Sequence, residues 1–381
     1  MKLKFGMVGG GNGAFIGNVH RRGATEDNLA RLVAGCFTRN PEKNLATAQA
    51  WDVDDPSRVY ANYKEMADAE SARQDGIDFV VIVTPTDTHY EIAKYFMEKG
   101  INVVCDKPIA TTAAEGEDLQ RIAKEKNLEF GVTYTYGSYH AIQQIRAMID
   151  NGEIGKILNI VAEYPQDWVL AAMMGDSSDQ AMWRLDPKRS GGSACVSDIG
   201  THLEALISRA TGLKLEKVLA RFIGYEPASP MDHDIQILLE YEGNIPGIMW
   251  ASQIASGSDC AVKVRIYGEK GSLEWCHLNP MELKYAPINQ PVRTITANRT
   301  YNKKECLDFC RLPAGHPEGF YQAFANVYKA YCTHLLAKKE GCIDNSMRFF
   351  DIDDGLASLY FVDACIESNA KGNVWVPLKK H

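Results

Sequence analysis

The sequence predicts an α/β fold in two parts: a doubly wound parallel sheet at the N-terminal end, followed by an α+β domain with a largely antiparallel open sheet. Three observations support this prediction. A glycine cluster follows the first apolar run, strand and helix signals alternate through the first third of the chain, and strands joined by hairpin turns come after them. We place the domain boundary after residue 136, which gives domains of 1–136 and 137–381.

The first strand ends in a glycine-rich turn, in which Gly9 and Gly11 open a loop that leads into a helix. Glycine suits this turn because it adopts backbone angles that side chains forbid and lets a phosphate approach main-chain N–H groups. The glycine that packs helix on strand is most naturally Gly17, so the loop is longer than the usual G-x-G-x-x-G spacing. The turn is typical of a dinucleotide site in a Rossmann fold.

Strand and helix signals alternate after this loop, with short connections between them. The run from Ile77 to Val83 is almost entirely apolar, as in a central strand that is buried on both faces. Ligands of such sheets bind outside the carboxyl ends of the strands, where Thr84-Pro85 and Asp106-Lys107-Pro108 lie. The predicted strands after the first are 31–37, 59–60, 77–83, 102–105 and 128–132, and the predicted helices are 41–51, 63–69, 88–99 and 113–126.

The pattern changes after Tyr136, where a helix is followed by a series of strands. The turns at 241–245 and 268–271 are typical of hairpins, which join antiparallel strands. Two further helices follow towards the end of the sequence. The predicted strands are 158–164, 218–224, 234–241, 245–251, 263–268 and 271–276, and the predicted helices are 139–150, 318–339 and 353–369.

Composition and charge restrict the function. A net charge of −8 without a Lys/Arg block argues against a nucleic-acid surface, so we expect a small-molecule ligand. No apolar run reaches the roughly 18 residues that span a bilayer, and the N-terminus lacks a signal-peptide pattern, so we expect a cytoplasmic protein without membrane contact. The ten cysteines are scattered without a C-x-x-C pair, which favours reduced thiols over disulfides or a metal site.

A series of short motifs spans nearly the whole chain. The motifs are the glycine loop with His20, Thr84-Pro85-Thr86-Asp87-Thr88-His89, Asp106-Lys107-Pro108, Gly152-Glu153-Ile154-Gly155, Trp183-Arg184, Gly191-Gly192, Asp198-Ile199-Gly200-Thr201-His202 and Asp354-Gly355. Their order resembles the Gfo/Idh/MocA family, the group of glucose-fructose oxidoreductase and inositol dehydrogenase. The sequence departs from the family in its longer glycine loop, in the missing ribose-binding acid after the second strand, and in Asp106, where many members carry Glu.

The resemblance implies roles for three residues. In the family, the lysine of the E/D-K-P motif and the Asp and His of the D-x-x-x-H motif lie beside the nicotinamide, which points to Lys107, Asp198 and His202. Oxidation of a secondary alcohol needs a hydride acceptor, a base for the hydroxyl proton and a donor that steadies the alkoxide. We expect His202 to accept the proton, Lys107 to polarise the substrate oxygen, and Asp198 to orient it or to bind a hydroxyl.

The other expected contacts fall into a cofactor set and a substrate set. The cofactor set lies in the loops after the strands, and the substrate set places aromatic rings beside polar groups, as suits a sugar. Solvated loop residues and aromatic core fillers are the plain alternatives for the two sets. The cofactor set is Gly9, Gly11, Asn12, Ala14, Phe15, Ile16, Thr38, Arg39, Thr84, Pro85, His89, Asp106 and Lys107. The substrate set is Tyr136, Tyr164, Asp167, Trp183, Arg184 and His316.

Together these features predict a nicotinamide-dependent oxidoreductase that oxidises a secondary ring hydroxyl of a sugar, cyclitol or glycoside. Oxidation of a glucoside to its 3-keto form is the narrower case, and glycoside cleavage through transient C3 oxidation with retained NAD stays open as the alternative. NAD and NADP both stay open, because Thr38 and Arg39 stand where a 2′-phosphate would lie. An open antiparallel sheet offers a broad face to a second copy, so we expect a homo-oligomer.

Overall fold

The computed structural model describes residues 2–175, 182–226, 230–344 and 346–379. The chain divides into two compact units, Met1–Thr133 with Phe324–Leu356, and Tyr134–Ala323 with Ala357–His381. The boundary predicted after residue 136 lies close to the first division but leaves 324–356 in the second domain. A helical sequence pattern shows which face of a helix is apolar, but it does not show which sheet packs against that face. The sequence pattern therefore could not predict that 324–356 belong to the first unit.

The first unit contains a five-stranded sheet whose strands alternate with helices along the chain. The strands are β1 (Leu3–Gly9), β2 (Ala30–Cys36), β3 (Phe79–Val83), β4 (Asn102–Cys105) and β5 (Phe130–Val132), and the helices are α1 (Phe15–Glu26), α2 (Pro41–Ala50), α3 (Tyr63–Ala72), α4 (His89–Glu98) and α5 (Ala113–Lys126). The strand order is β2-β1-β3-β4-β5, and every neighbouring pair is parallel. All five residues of β3 are buried. This confirms the predicted doubly wound Rossmann sheet.

Local sequence explains where the helices of the first unit begin. The side chain of Asn40 caps α2 by accepting the N–H of Lys43, and Thr112 with Glu115 forms a capping box at the start of α5. The strand predicted at 59–60 is reduced to one bridge between Gly35 and Val59, because a short 3₁₀ turn at Pro56–Arg58 ends immediately before it.

The second unit is built around a nine-stranded sheet. The strands are β6 (Ile157–Pro165), β7 (Leu215–Gly224), β8 (Asp232–Tyr241), β9 (Ile245–Ser252), β10 (Lys263–Gly268), β11 (Gly271–Cys276), β12 (Glu282–Pro287), β13 (Arg293–Thr296) and β14 (Val376–Pro377). Their order is β13-β12-β11-β10-β6-β9-β8-β7-β14. The pair β6 and β9 is parallel and the other pairs are antiparallel, so the largely antiparallel sheet is confirmed.

Helices complete the second unit and carry the chain between the units. The helices are α6 (His140–Asp150), α7 (Trp168–Met173), α8 (Pro187–Ser190), α9 (Thr201–Thr211) and α10 (Lys304–Leu307), followed by α11 (Phe320–Lys339) and α12 (Ile352–Ala370). The chain leaves the second unit within α11 and returns within α12. The sequence did not predict β12, β13 and β14, which are short and, in β13, half-buried or exposed. Within the described ranges, no helix is long and apolar enough to cross a membrane.

Candidate active site

The glycine loop after β1 is shaped by close approach of the backbone. Gly9 and Gly10 have φ angles of +81° and +68°, and a Cβ on Gly17 would lie 1.8 Å from the carbonyl oxygen of Gly10. Glycine is therefore required at these positions. The first turn of α1 runs from Phe15 to Asn18 and holds no acidic side chain, so its N–H groups are suited to an anion. The loop fits the pyrophosphate of a dinucleotide.

Some expected cofactor contacts are turned towards the protein itself. The N–H of Gly11 donates to the carbonyl of Phe37 at 3.2 Å, and the N–H of Asn12 donates to Thr47 Oγ1 at 3.0 Å. These bonds fix the long loop against the residue that follows β2 and against the side of α2. The chain after β2 continues through Thr38, which is half-buried, to Arg39, which is exposed. Arg39 is thus accessible to a ligand.

The loop after β4 carries Lys107, whose side chain is half-buried. The carboxylate of Asp106 accepts the N–H of Lys107 and the hydroxyl of Thr133, both at 2.9 Å through Oδ1. Burial raises the pKa of Asp106, but His20, whose Nε2 lies 3.7 Å from Oδ2, together with the charges of Lys107 and His89, outweighs burial and holds that pKa well below its usual value. Asp106 is therefore an anion that anchors the backbone at Lys107.

Asp198 in the second unit lies in a segment of π-helix, Val196–Gly200, that leads directly into α9 and His202. The carboxylate of Asp232 fixes the start of this segment by accepting the N–H groups of Ala194, Cys195 and Val196 at 2.8–3.1 Å. The segment is helical, with a wider turn in which the N–H of Thr201 donates to the carbonyl of Val196. Such π turns occur often at functional sites.

The carboxylate of Asp198 is held by two side chains. The amide of Gln253 donates to Oδ2 at 3.0 Å, and Nε of Arg184 lies 3.4 Å from Oδ1. Gln253 is fully buried, and its backbone N–H donates to the carbonyl of His233 at 2.7 Å. Because Gln253 is fixed in this way, it presents its N–H groups to Asp198 in one geometry.

Three tyrosine rings surround the imidazole of His202. Their centroids lie 5.0 Å (Tyr136), 5.9 Å (Tyr134) and 6.3 Å (Tyr164) from the imidazole centroid. The hydroxyls of Tyr136 and Tyr164 are 2.7 Å apart, and burial raises the pKa of both phenols, so both keep their protons near neutral pH. His277 joins the cluster through Tyr139, whose hydroxyl is 3.1 Å from Nδ1. The structure thus places Tyr136 and Tyr164 beside His202, and their predicted contact with substrate stays a prediction.

The remaining expected substrate residues differ in their surroundings. Asp167 accepts the N–H of Gly257 at 2.8 Å. The ring of Trp183 lies 4.7 Å from the guanidinium carbon of Arg184 and 5.8 Å from that of Arg189. His316 is exposed, with Nδ1 3.1 Å from the carbonyl of Pro313. Arg184 contacts Asp198, and the substrate roles of all four residues stay predictions.

Several residues of the site had no sequence signal of their own. Gln253 and the tyrosine-histidine pair Tyr139 and His277 belong to no recognised motif. The parallel pairing of β6 with β9 places Gln253 next to the end of β6, where the N–H of Gln166 donates to the carbonyl of Ser252 at 2.8 Å. A prediction of that one parallel pair would have identified Gln253.

The two units carry different chemical groups. The first unit offers a glycine cradle and helix N–H groups for an anion, together with a lysine at the carboxyl end of its sheet. The second unit offers an imidazole beside protonated phenols and a carboxylate in a charged contact. A base, a cationic donor and a hydroxyl ligand are the groups that alcohol oxidation requires of a protein.

Comparison with known proteins gives the family of both units. Residues 3–134 match the Gfo/Idh/MocA oxidoreductase family with an NAD-binding Rossmann fold, and residues 142–274 match the Gfo/Idh/MocA C-terminal domain. The chain is 35% identical to the uncharacterized oxidoreductase YfiI of Bacillus subtilis over 99% of this chain and 97% of the relative. It is 29% identical to inositol 2-dehydrogenase of Rhizobium meliloti over 97% of this chain and 98% of the relative.

A solved structure is similar over the same length. The inositol dehydrogenase homologue of Azotobacter vinelandii, complexed with NAD⁺, is 33% identical and superposes with a TM-score of 0.94 over 99% of this chain and 97% of the other. The same homologue has also been crystallised with NADH and myo-inositol, at 32% identity and a TM-score of 0.92 over 99% and 98% of the two chains. The chain is therefore an oxidoreductase of the Gfo/Idh/MocA family, with an NAD-binding Rossmann domain at its N-terminal end.

Proposed function

We propose that the protein is an NAD-dependent dehydrogenase that oxidises a secondary ring hydroxyl of a cyclitol, sugar or glycoside. The bound nicotinamide supplies the hydride acceptor. His202 accepts the hydroxyl proton at a ring nitrogen, Lys107 donates from its ammonium group to the substrate oxygen, and Asp198 binds a hydroxyl or orients the substrate. The glycine loop and the start of α1 hold the pyrophosphate.

The observation that carries this proposal is the combination of His202 and Asp198 at one end of α9. Arg184 and Gln253 keep the carboxylate in a polar setting, while three tyrosine rings restrict the orientation of the imidazole. Rings beside hydroxyl, carboxylate and guanidinium groups suit a polyol, whose C–H faces stack on aromatics and whose hydroxyls form hydrogen bonds. The complex of the Azotobacter homologue with myo-inositol supports a cyclitol as the first substrate class to test.

The test begins with the purified protein. Its mass and absorbance spectra show whether a nicotinamide cofactor is retained, and the protein is then incubated with inositols, monosaccharides and aryl glucosides, with and without added NAD. We expect stoichiometric NADH from at least one ring alcohol. Product without free NADH, formed by protein that retains its cofactor, would move the assignment to glycoside cleavage by transient C3 oxidation. No product from any member of the panel would contradict the proposed substrate class.

We also propose that the protein forms a homo-oligomer through the outer face of the nine-stranded sheet. Leu238 and Ile248 are 45% and 47% exposed and face each other on β8 and β9, and Val161 on β6 continues their row. Polar partners border this row, including Arg265, which pairs with Glu163 at 3.0 Å. An apolar row with charged neighbours on an open sheet fits a second copy of the same face.

The oligomer proposal is tested by light scattering after size exclusion. Ile248→Lys should lower the mass to that of a smaller assembly, whereas Ile343→Lys, at a residue that is 83% exposed elsewhere in the chain, should leave the mass unchanged. An unchanged mass for Ile248→Lys would contradict this interface. We further propose the cytoplasmic location that the sequence predicts, which is supported by cysteines that all lie in the described residues and form no disulfide there.

A further inference from the structure

Two buried histidines flank the loop that carries Lys107. His20 lies in α1 and His89 is the first residue of α4, and their side chains are 0% and 1% exposed. The sequence placed both motifs near the cofactor, and a histidine there is easily taken for a ligand contact. Their hydrogen bonds point to a different role.

His89 joins two loops at the carboxyl ends of neighbouring strands. Its Nδ1 lies 2.7 Å from the carbonyl oxygen of Pro108, and its Nε2 lies 2.7 Å from the carbonyl oxygen of Thr84. A carbonyl oxygen only accepts hydrogen bonds. His89 is therefore the donor, through whichever ring nitrogen carries the proton. Burial lowers the pKa of His89, while both carbonyls and the charges of Asp106 and Asp87 raise it. Each ring nitrogen thus lies against a backbone carbonyl, and the neutral imidazole donates to one of the two.

His20 acts on the other side of Lys107. Its Nδ1 lies 2.6 Å from the hydroxyl of Tyr328, and its Nε2 lies 3.7 Å from Oδ2 of Asp106. Burial raises the pKa of Tyr328, so the phenol keeps its proton and can donate to Nδ1. The Nε2–H of His20 then faces the carboxylate of Asp106, whose other oxygen accepts the N–H of Lys107.

We propose that His20 and His89 are positioning residues for Lys107, His20 acting through the carboxylate of Asp106 and His89 through the carbonyl of Pro108. The two histidines hold the backbone before and after Lys107, and the ammonium group is placed by that backbone. This inference rests on the proposed function, because that function explains why Lys107 needs a fixed position. The position of Lys107 can nevertheless be tested without a substrate. In this proposal both histidines act on Lys107 through the protein and not through a contact of their own with substrate or cofactor.

The test compares graded variants of His89 with a milder change beside His20. His89→Gln keeps N–H groups that can reach a carbonyl, His89→Ala removes them, and Tyr328→Phe removes only the hydroxyl that orients His20. His334→Ala is the matched control, because His334 lies elsewhere in the first unit, with Nε2 3.3 Å from Glu129. Each protein is assayed for NADH affinity by fluorescence and for its thermal midpoint.

The direct readout is the reactivity of the Lys107 amine. Reductive methylation followed by peptide mass spectrometry gives the rate at Lys107 relative to the exposed Lys126 in the same sample. We expect this ratio to change severalfold in His89→Ala and Tyr328→Phe, to return towards the parent value in His89→Gln, and to stay constant in His334→Ala. An unchanged ratio in both His89→Ala and Tyr328→Phe would overturn the proposal.

The second readout separates positioning from cofactor binding. With a substrate from the panel, His89→Ala should lower kcat by about 10- to 100-fold, since an error of about 1 Å in placement has effects of that size. The KM and the NADH dissociation constant should stay within about threefold of the parent values. A loss of NADH affinity that equals the loss of kcat would make His89 a cofactor contact and overturn its positioning role. If no substrate is oxidised, the proposed function fails and the labelling ratio still decides the positioning.

Discussion

The two units hold their expected catalytic groups in different ways. In the first unit, the structure fixes the backbone around Lys107, because Asp106 accepts its N–H and His89 contacts the carbonyl of the next residue. In the second unit, Gln253 and Arg184 contact the carboxylate of Asp198 itself. The loop of Lys107 is held by residues of recognised motifs, whereas the carboxylate of Asp198 depends on a glutamine 55 positions later. In the first unit, substitutions near Lys107 are therefore expected to act through the backbone. In the second unit, a substitution at Gln253 is expected to act directly on the carboxylate of Asp198.

The largest expected effect comes from Lys107→Ala, which removes the group and leaves its anchored backbone. We expect kcat to fall by about 10² to 10⁴-fold, the usual range for loss of a proton-transfer or charge-stabilising group. NADH affinity should change little, because the glycine loop and α1 provide the pyrophosphate contacts. Steady-state kinetics and NADH fluorescence measure the two effects.

Lys126→Ala is the control for this change, since Lys126 is exposed at the end of α5. Unchanged turnover in Lys107→Ala on a confirmed substrate would remove Lys107 from the mechanism. A parallel loss of NADH affinity would show that the lysine binds the cofactor and that its loop is not fixed independently.

A smaller effect is expected at Gln253, where the contact with Asp198 is direct. Gln253→Leu removes a hydrogen bond to a carboxylate, which costs about 1.5–3 kcal/mol, so we expect kcat/KM to fall by about 10-fold or more. Gln253→Glu should be worse, because it places a second carboxylate against Asp198 and raises the pKa of one of them. The acid limb of the pH profile should then move to higher pH.

Gln290→Leu is the matched control, because Gln290 is exposed in the loop before β13. If neither Gln253→Leu nor Gln253→Glu changes kcat/KM or the pH profile, the hydrogen bond to Asp198 does not contribute to the reaction. Such a result would contradict the statement that the activity depends on the direct contact of Gln253 with Asp198.

Local patterns predicted most of the fold. Ala113–Lys126, Asn102–Cys105, Lys263–Gly268 and Gly271–Cys276 have the predicted ends, since each is bounded by turn or cap residues that act locally. The parallel pairing of β6 and β9 has no local signal, because pairing depends on which strands meet after the chain has folded. The return of 324–356 to the first unit is unpredictable for the same reason.

In the candidate site, too, local motifs were predictable and long-range contacts were not. Lys107, Asp198 and His202 were found through motifs whose spacing is local. Other contacts join distant parts of the sequence: Tyr328 contacts His20, Thr133 contacts Asp106, and Gln253 contacts Asp198. These contacts exist only in the folded units. Sequence reasoning therefore identified the groups that are expected to react and some of those that hold them, such as Asp106 and Arg184, but it missed Tyr328, Thr133 and Gln253.

A third prediction concerns stability and the anchored loop. The pKa of Asp106 lies below its usual value of about 3.9, so its ionisation stabilises the folded state above about pH 4, and this contribution is lost as the pH falls through the folded-state pKa. Asp106→Asn should lower stability at pH 7 by an amount on the order of 2 kcal/mol. The difference from the parent protein should shrink towards pH 3, as measured by denaturant unfolding.

Asp118→Asn provides the contrast for this prediction. Hydrogen bonds from Lys94 and Arg121 lower the pKa of Asp118 on the surface of the first unit, where salt screens such pairs. The effect of Asp118→Asn should fade in 1 M salt, and that of Asp106→Asn should persist. Equal salt sensitivity would show that the Asp106 anchor is open to solvent.

The smallest expected effect concerns Arg39, an exposed side chain of the first unit. Thr38 and Arg39 follow β2 in place of a ribose-binding acid, so a 2′-phosphate meets a cation there and no repelling carboxylate at the tip. We expect NADPH to bind within about 10-fold of NADH, and Arg39→Ala to weaken NADPH by about three- to 10-fold while leaving NADH unchanged. Fluorescence titrations at two salt concentrations measure both constants, with Arg31→Ala, at another exposed arginine on β2, as the control. If the parent protein binds NADPH more than about 100-fold more weakly than NADH, Arg39 does not serve the ribose, and the exposed tip of β2 rejects the phosphate by its shape.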